Sequence, residues 1–312
     1  MMGIKKNIAV LKDTIKRGGA IECINLIRDH FKWIALKKYL KVKFRNENYV
    51  IIEVQGNKMY IDLEDPGISR TLLLYGVHEK IQTDIMKNIL KSGMTVLDIG
   101  GNIGYYVLIE ASLVGKYGKV YAIEPDPRNF KLLNMNIKLN ELDQIVRTYQ
   151  YAISSGRGIK KFYLTVNRNY PSMLDVKEWS DYMTRKMRNV KIDEMNVETI
   201  SVDDFVAMEN ILPDVIRMDI EGYEIEAIKG MTITLNNMKK DSYLFFEFHP
   251  ILLKNPTQKI KEVLEIIYNS GFRIFKVVQN NTVVNISKQT TLHECLRTIL
   301  RFKAPGVFFY KG

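Results

Sequence analysis

The sequence predicts an α/β protein in which a mainly parallel sheet is covered by helices on both faces. Two observations support this doubly wound fold. Short apolar runs alternate with helical patterns from about residue 83 onward, and a glycine-rich turn joins one of these runs to the next helix. Such alternation is typical of parallel sheets, because each crossover helix packs on one face of the sheet.

Each element of this sheet follows from a local pattern. The apolar run Thr95–Ile99 precedes a helical pattern over Tyr105–Val114. A second run, Lys119–Ile123, precedes a helix over Pro127–Leu139 that begins at Pro-Asp-Pro. The remaining predicted strands are Ile145–Ala152, Val215–Met218, Tyr243–Phe248, Phe272–Val278 and Gly306–Tyr310.

Residues 1–75 are predicted to form a helical and β cap in front of a main domain over residues 76–312. Apolar residues recur at helical spacing between Ile21 and Phe44 with Lys and Arg between them, which predicts one basic amphipathic helix or two short ones. Tyr49–Val54 and Lys58–Leu63 alternate around a Gly-containing turn, as in a hairpin. A polar stretch over residues 167–196 reads as an insertion that shapes a substrate pocket.

Positive charge is concentrated at the N-terminus. Residues 1–50 hold 12 Lys and Arg against 4 Asp and Glu, which is eight of the eleven excess charges of the chain. One interpretation is a helix packed on the main domain, with Phe31 and Trp33 buried and the lysines in solvent. The other is contact of residues 1–48 with an anionic membrane surface, with both aromatic rings at the headgroup level.

Cysteine use and hydropathy indicate the compartment. The two cysteines, Cys23 and Cys295, lie far apart without metal-ligand spacing, so neither a disulfide framework nor a zinc site is predicted. Lysines interrupt the N-terminal apolar residues, unlike a signal peptide, and no apolar run reaches the roughly 18–20 residues needed to cross a bilayer. We therefore expect a cytoplasmic protein, either free or peripheral on the inner face of the membrane.

The glycine-rich turn resembles a nucleotide-cofactor site. Gly100 and Gly101 permit a tight turn and close approach to a ligand, and Gly104 lets the next helix pack against the strand. Glu124 ends the following strand, 20 residues past Gly104, where a carboxylate can accept hydrogen bonds from ribose hydroxyls.

The spacing in this turn favours one cofactor class over another. Asn102 stands where a dinucleotide fingerprint has its second glycine, which disfavours a pyrophosphate. Asp98 suits a cofactor with a sulfonium and an amino group, which is S-adenosylmethionine. A nicotinamide site and a purely structural turn are the alternatives.

Charged residues follow two further strands. Asp219 and Glu221 end one apolar run, and Glu247 and His249 end another. The carboxyl ends of strands line the ligand crevice in open α/β sheets, so these four side chains should converge on the methyl donor. Alternatively, Glu221 and Glu224 merely begin the next helix, where carboxylates complement its dipole.

These motifs together resemble the FkbM-type S-adenosylmethionine-dependent methyltransferases. The resemblance covers roughly residues 70–250. Its motifs are the turn from Asp98 to Tyr106, Glu124-Pro125, Ser201-Val202-Asp203-Asp204 and the run from Asp219 to Glu224. Gly101 and Arg217 depart from the commoner Ala and Lys. The resemblance implies a Rossmann-like class I methyltransferase sheet and O-methylation of hydroxyls on natural products and sugars.

The expected site combines both sets of residues. We expect His249 to be the general base, with Asp219 and Glu221 orienting the reactants, although a histidine at this rim can simply bind a backbone carbonyl. A divalent metal on Asp219, Glu221 and Glu247 is the less favoured alternative, so no metal site is predicted. The expected cofactor-binding residues are Asp98, Gly100, Gly101, Asn102, Gly104, Glu124 and Asp219.

Several classes of acceptor are compatible with the sequence. A hydroxyl-bearing small molecule or glycan is the favoured acceptor. An RNA methyltransferase is disfavoured, because the basic residues cluster at the N-terminus without an RNA-binding motif. A non-catalytic cofactor-binding module is disfavoured because both cofactor acids are present. The sequence identifies neither the acceptor nor the oligomeric state.

Overall fold

The computed structural model describes residues 24–25, 27–45, 47–165, 172–174, 179–182, 184 and 192–312. Cys23 and most of the predicted insertion lie outside these residues. The strands are β1 (Tyr49–Val54), β2 (Asn57–Asp62), β3 (Thr95–Ile99), β4 (Lys119–Ile123), β5 (Val146–Tyr149), β6 (Ala152–Ile153), β7 (Gly158–Thr165), β8 (Ile192–Ile200), β9 (Val215–Met218), β10 (Tyr243–Glu247), β11 (Phe272–Gln279), β12 (Thr282–Asn285) and β13 (Gly306–Lys311). The α-helices are α1 (residues 27–43), α2 (Ile68–Tyr75), α3 (Lys80–Ile89), α4 (Tyr105–Val114), α5 (Pro127–Leu139), α6 (Val202–Glu209), α7 (Glu224–Lys229), α8 (Thr232–Asn237), α9 (Pro256–Asn269) and α10 (Leu292–Leu300).

The main sheet has eight strands in the order β12-β11-β13-β10-β9-β3-β4-β5. Strands β10, β9, β3, β4 and β5 run parallel, and β13 is antiparallel to both of its neighbours. The strand order reverses direction beside β3, so a crevice opens at the carboxyl ends of β3 and β9. This topology confirms the predicted doubly wound, Rossmann-like sheet.

Alternation along the strands builds a core on each face of the sheet. In β3, Val96 packs into one hydrophobic cluster, whereas Leu97 and Ile99 pack into the other. The first cluster contains residues of helices α3, α4 and α5, and the second contains residues of α6 to α10. Because successive side chains leave a strand on opposite faces, one five-residue strand serves both cores.

The hairpin β1–β2 packs on helix α5 and also contacts helix α4 through Asn57 and Ser112. Of the ten residues in α4, only Ser112 and Leu113 are not buried, so the helix is apolar on nearly all sides. A helix of that kind needs a cover on the side away from the sheet. Ile61 and Leu72 of the cap share one hydrophobic cluster with Leu108 of α4. The cap is thus continuous with one core of the main domain.

A second, smaller sheet was not predicted from the sequence. The expected strand Ile145–Ala152 is wrong as one element, since β5 belongs to the main sheet and β6 joins a three-stranded sheet in the order β6-β8-β7. Strand β8 also occupies the end of the predicted insertion. The adjacent Lys160 and Lys161 interrupt the alternation in β7, which hid this strand.

Helix α1 corrects the placement of the two aromatic rings in both interpretations of the N-terminal segment. Trp33 is only 7% exposed, whereas Phe31 is 65% exposed. Two residues apart on a helix, these side chains point about 200° apart, so they cannot share one environment. Among the described residues, no helix has the length and apolar character needed to cross a bilayer.

Candidate active site

A glycine turn after strand β3 approaches the end of strand β9. Gly100 has a φ of +88°, and a Cβ atom built on it would lie 2.0 Å from the carbonyl oxygen of Asp219. No side chain fits that space, and L residues are strained at this φ, so the position requires glycine. Gly104, with a φ of +95°, precedes helix α4 and packs against Leu133 of α5. The turn therefore exposes backbone at the crevice between two strand ends.

Glu124 ties the end of strand β4 to this turn. One oxygen of its carboxylate accepts a hydrogen bond from the backbone N–H of Asn102 at 2.8 Å, and the other accepts one from the N–H of Asp126 at 2.8 Å. Burial raises the pKa of Glu124 to about 8, although both hydrogen bonds oppose this shift. A carboxylate has about four acceptor positions, so Glu124 keeps capacity for a ligand.

A cavity of about 360 Å³ lies beside the turn and Glu124, within the size range of small-molecule sites. Three parts of the fold form its wall. The cap contributes Pro66, Gly67, Ile68, Thr71 and His78; the main sheet contributes Gly100, Gly101, Asn102, Tyr105, Tyr106, Glu124, Pro125, Asn129, Arg217, Asp219, Ile220, Glu221 and Tyr223; the region of the small sheet contributes Ala152, Ile153, Phe162 and Met173.

Arg217, and not Asp98, faces this cavity. The two residues are neighbours across strands β3 and β9, and Asp98 is fully buried with its carboxylate 3.4 Å from Nη1 of Arg217. Asp98 does not line the cavity, because its side chain leaves the sheet toward α4, and its direct contact with the cofactor stays a prediction. Arg217 also lies 3.3 Å from the carboxylate of Asp219, and its guanidinium stacks 4.0 Å from the ring centroid of Tyr106.

Behind Arg217 lies a buried pair of acids. Glu110 of α4 is fully buried beside Asp98. Burial raises the pKa of both carboxyls, and the proximity of Asp98 raises that of Glu110 further. Two carboxylates cannot both ionise there at low cost, so the pair holds a proton and Arg217 balances the remaining charge.

A second chain of ionisable groups runs inward from the cavity. Glu221 lines the cavity, and its Oε2 lies 3.4 Å from Nε2 of His249. Nδ1 of His249 lies 3.0 Å from Oε1 of Glu224, which also accepts the backbone N–H of Gly222 at 3.1 Å. Glu221 has a φ of +53°, which a non-glycine residue seldom adopts, so the fold holds it in a strained conformation.

The charges along this chain depend on one another. Burial raises the pKa of Glu221 to about 8, against the opposing effect of His249. Burial by itself lowers the pKa of His249, but Glu221 and Glu224 outweigh it and hold that pKa well above its usual value. This shift favours the imidazolium form of His249.

The predicted convergence of four polar groups holds for only part of the set. Asp219 and Glu221 line the cavity, whereas His249 lies behind Glu221 and Glu247 is buried beyond the cavity wall. Glu224 begins helix α7, as its alternative interpretation expected, and also contacts His249. Of the predicted cofactor residues, Gly100, Gly101, Asn102, Glu124 and Asp219 line the cavity, and Gly104 supports the turn.

A metal could bind within reach of the same chain. Asp219, Glu224 and His249 each offer a ligand atom, and these atoms lie within 4.8 Å of one another. However, the Glu224 oxygen that faces His249 already accepts two backbone N–H groups. Oε2 of Glu224 and Oε2 of Glu221 are nevertheless buried without a hydrogen-bond partner among the described residues, so carboxylate oxygens remain for a cation.

A protein-family model matches the part of the chain that contains the glycine turn and the strand ends described above. The model of the methyltransferase FkbM domain matches residues 98–274, from the end of strand β3 into strand β11. The chain belongs to the FkbM methyltransferase family. Its main sheet has the Rossmann-like topology described above, and family membership indicates S-adenosylmethionine as the methyl donor. The protein-L-isoaspartate O-methyltransferase model also matches residues 7–161.

Two characterised relatives share part of the sequence. Hexuronic acid methyltransferase AglP of Haloferax volcanii is 28% identical over 154 residues, which cover 49% of this chain and 54% of that protein. Methyltransferase sdnD of Sordaria araneosa is 26% identical over 178 residues, covering 50% of this chain and 68% of that protein. The chain thus spans about half the length of AglP.

Solved structures that align with the chain are more distant in sequence. An O-methyltransferase of Thermotoga maritima is 15% identical, covers 87% of this chain and 81% of its own, and has a TM-score of 0.40. The tRNA m1G37 methyltransferase of M. jannaschii is 13% identical, with coverage of 86% and 58% and a TM-score of 0.42.

The described cavity suits the family's donor. The space above Gly100 is open only because a Cβ is absent, as close approach of a ligand to the backbone requires. Glu124 places a buried carboxylate 22 residues beyond Asn102 in the sequence but in direct contact with its backbone. A ribose needs such an acceptor, and the cavity has the volume for a nucleoside.

The sequence pattern missed three parts of this wall. Arg217 was noticed only as a departure from the family, because its position depends on strand register. Phe162 lies on a strand that was not predicted, and the cap residues 66–71 reach the cavity through tertiary packing. The lone basic residue in an otherwise apolar strand was the available signal for Arg217.

Proposed function

We propose that the protein transfers the methyl group of S-adenosylmethionine to a hydroxyl of a sugar or another small molecule. The observation that carries this proposal is the carboxylate of Glu221 in the cavity wall, backed by His249 at 3.4 Å. A hydroxyl is a poor nucleophile at neutral pH, so a nearby proton acceptor is the feature that an O-methyltransferase needs.

The donor occupies the part of the cavity next to the glycine turn. Glu124 accepts the ribose hydroxyls, while the backbone at Gly100 and Gly101 lies against the ligand. Arg217 and Asp219 are the charged pair nearest to the turn, and they bind the carboxylate and the ammonium of the methionine moiety, respectively. S-adenosylmethionine supplies a methyl group that is already activated by a positively charged sulfur.

Proton removal involves Glu221 and not His249 directly. An imidazolium cannot accept a proton, and His249 is separated from the cavity by Glu221. The positive charge of His249 lowers the pKa of Glu221 against the larger effect of burial, so that Glu221 ionises near pH 8, and Glu224 fixes the ring through Nδ1. Glu221 then accepts the hydroxyl proton as the oxygen forms its new bond to the methyl carbon. His249 and Asp219 act as positioning residues in this account.

The acceptor class is supported by the relatives and by the wall of the cavity. AglP is named as a hexuronic acid methyltransferase, so a related site acts on a sugar acid. The acceptor side of this cavity is formed by Phe162, Met173 and Tyr223, whose apolar surfaces suit the carbon face of a sugar ring. We therefore place sugars and uronic acids first among the acceptors to be tested.

The test is transfer of a labelled methyl group from S-adenosylmethionine to defined acceptors. Free sugars, uronic acids, lipid-linked sugars and bulk RNA are incubated in parallel, each with and without EDTA. We expect labelled sugar that is lost in Glu221→Gln and unaffected by EDTA. Labelled RNA without labelled sugar would contradict the proposal, and loss of transfer in EDTA would favour the metal interpretation.

A further inference from the structure

Helix α1 has a second apolar face that the protein does not cover with its described residues. Trp33 and the half-buried Leu40 face the protein. At about 100° per residue, the exposed aliphatic side chains and Phe31 fall within an arc of roughly 80° that lies nearly opposite Trp33, and the exposed Tyr39 lies about 60° beyond it. This exposed stripe consists of Ile27, Phe31, Ile34 and Val42 of α1, together with Ile24 in the helical residues 24–25 that precede it, and these side chains are 41–74% exposed.

The helix is held so that the stripe points away from the protein. Asp29 accepts a hydrogen bond from the hydroxyl of Tyr75 in α2. Glu64, after strand β2, binds Lys37 at 2.5 Å and also binds Lys41. These contacts lie on the Trp33 side of the helix, so the rotation of α1 about its axis is fixed.

The charge around the stripe is almost entirely positive. Residues 24–45 contain seven Lys and Arg and a single acid, Asp29, which faces Tyr75. Lys38 lies inside the arc of the stripe, and Arg28 and Lys41 lie near its two borders. Lysine and arginine can extend their charged ends toward lipid phosphates while their carbon chains lie along apolar neighbours.

This charge pattern favours an anionic lipid surface over a second copy of the helix as the partner of the stripe. A second copy of the helix would bring cations against cations, and its one acid is already engaged by Tyr75, so self-association offers no compensating charge. An anionic lipid surface satisfies both properties, since apolar side chains enter the acyl boundary while cations stay at the headgroups.

We propose that helix α1 docks the enzyme on an anionic membrane surface through the exposed stripe. The helix lies in the plane of the interface, with Phe31 and Ile34 inserted and Arg28 and Lys38 at the phosphates. Trp33 remains in its place against the protein. This proposal holds whether or not the enzyme catalyses the methyl transfer proposed above.

The position of α1 links this surface to the cavity. Glu64, which binds α1, is followed in the chain by Pro66, Gly67, Ile68 and Thr71, and these four residues line the donor cavity. If the proposed methyl transfer is correct, docking brings the cavity wall near acceptors that are themselves held at the membrane.

The test is co-sedimentation of the full chain with vesicles of phosphatidylcholine alone and of phosphatidylcholine mixed with phosphatidylglycerol. We expect pelleting with the anionic vesicles only. At 1 M salt, where the Debye length falls from about 10 Å to about 3 Å, the bound fraction should drop severalfold. Pelleting that is absent or equal for the two lipid mixtures would overturn the proposal.

Variants then locate the contact. The pair Phe31→Ser and Ile34→Ser should reduce the partition coefficient at least about tenfold, since roughly two large apolar side chains no longer insert. Ile159→Ser, at an equally exposed isoleucine on β7, is the matched control and should bind as the wild type does. Unchanged binding in the stripe variant would contradict the docking surface.

A fluorescent reporter identifies what covers the stripe. In Phe31→Trp, brominated phosphatidylglycerol should quench the new tryptophan, whereas in the wild type Trp33 and Trp179 are buried and should be quenched far less. Equal quenching in both proteins would overturn the proposed orientation. A dimer in light scattering that Phe31→Ser dissociates would make a second copy the occupant and contradict the membrane. Binding of S-adenosylhomocysteine by all variants confirms that they are folded, and this readout is independent of the acceptor.

Discussion

Arg217 is the residue at which the donor cavity meets the buried acids. It contacts Asp98 and Asp219 at 3.3–3.4 Å and stacks on Tyr106, yet its Nε has no hydrogen-bond partner among the described residues. A buried guanidinium with long contacts and an unused donor is incompletely satisfied. A carboxylate of the donor would complete its hydrogen bonding, which explains why a charged residue stands in the middle of an apolar strand.

Glu124→Ala should weaken the binding of S-adenosylhomocysteine by at least about tenfold. Above about pH 8, where Glu124 is ionised, each hydrogen bond to the charged group contributes about 1.5–3 kcal/mol, and 1.4 kcal/mol corresponds to a factor of ten. Calorimetric titration measures the affinity. The control is Asp143→Ala, which replaces an exposed acid in the loop between α5 and β5. An affinity equal to that of the wild type would remove Glu124 from the ribose site.

Glu221→Gln should lower turnover by about 10²–10⁴-fold while donor affinity changes little. The base must be ionised, and the pKa of Glu221 is raised to about 8, so wild-type turnover should increase with pH and level off above about pH 8. This increase is the ascending limb of the pH profile. The variant has no carboxylate at this position, so its turnover should not show the ascending limb.

Initial rates from pH 6 to 10 with saturating donor provide the measurement. His249→Gln serves as the companion variant, because it removes the positive charge beside Glu221 and should shift the limb to higher pH. A wild-type limb that persists in Glu221→Gln would show that another group takes the proton.

The glycine turn is an element whose geometry depends on one atom. Gly100→Ala would place a methyl group 2.0 Å from the carbonyl oxygen of Asp219 at a φ of +88°, so the turn or strand end must shift. We expect a loss of stability of about 1–3 kcal/mol and severely weakened donor binding. Chemical denaturation and calorimetry check the two effects.

Gly101→Ala is the matched control for this change. A Cβ built on Gly101 meets its neighbours at 3.4 Å or more, and its φ is not in the left-handed region. We expect near-normal stability and donor affinity. If both substitutions behave alike, the close approach of Gly100 to β9 does not determine the site.

The sequence predicts helices and strands that have strong hydrophobic periodicity, but it does not predict which elements pack against each other. The bounds of β3, β4, α4 and α5 agree with the apolar runs and caps in the sequence. Strand β7 was missed because only part of it is buried and its lysines break the alternation. The role of Arg217 was missed because it depends on register with Asp98 across two strands, which local patterns do not encode.

Local sequence patterns likewise account for only part of the candidate site. Gly100, Gly101 and Glu124 stand at a spacing that the sequence shows directly, and the structure places them in the wall of one cavity, while their contact with the cofactor stays a prediction. The chain from Glu221 to His249 joins two strand ends that are 28 residues apart, and the order of its members follows from tertiary structure. Sequence reasoning therefore found His249 but placed it at the cavity instead of behind Glu221.

At the level of the whole molecule, the cap and the sheet should unfold together. Val50, Ile61 and Leu72 of the cap belong to the same hydrophobic cluster as Val96 and Phe245 of the sheet. A shared core makes separate unfolding costly, because either part alone would expose its buried face to water.

The two tryptophans allow this to be measured. Trp33 lies in α1 against the cap, and Trp179 packs with the core on the opposite face of the sheet. In Trp179→Phe and Trp33→Phe, urea unfolding followed by the remaining tryptophan should give the same midpoint after correction for each variant's stability by circular dichroism. Two separated transitions would show that the cap is an independent unit.

The crystal structure of the complex with S-adenosylhomocysteine tests the central claim most directly. We predict the ribose hydroxyls within about 3 Å of the Glu124 carboxylate, the ligand carboxylate at Arg217, and the sulfur facing the space beside Glu221. A ligand whose sulfur points away from Glu221, or whose ribose lies elsewhere, would contradict the proposed arrangement of donor and proton acceptor.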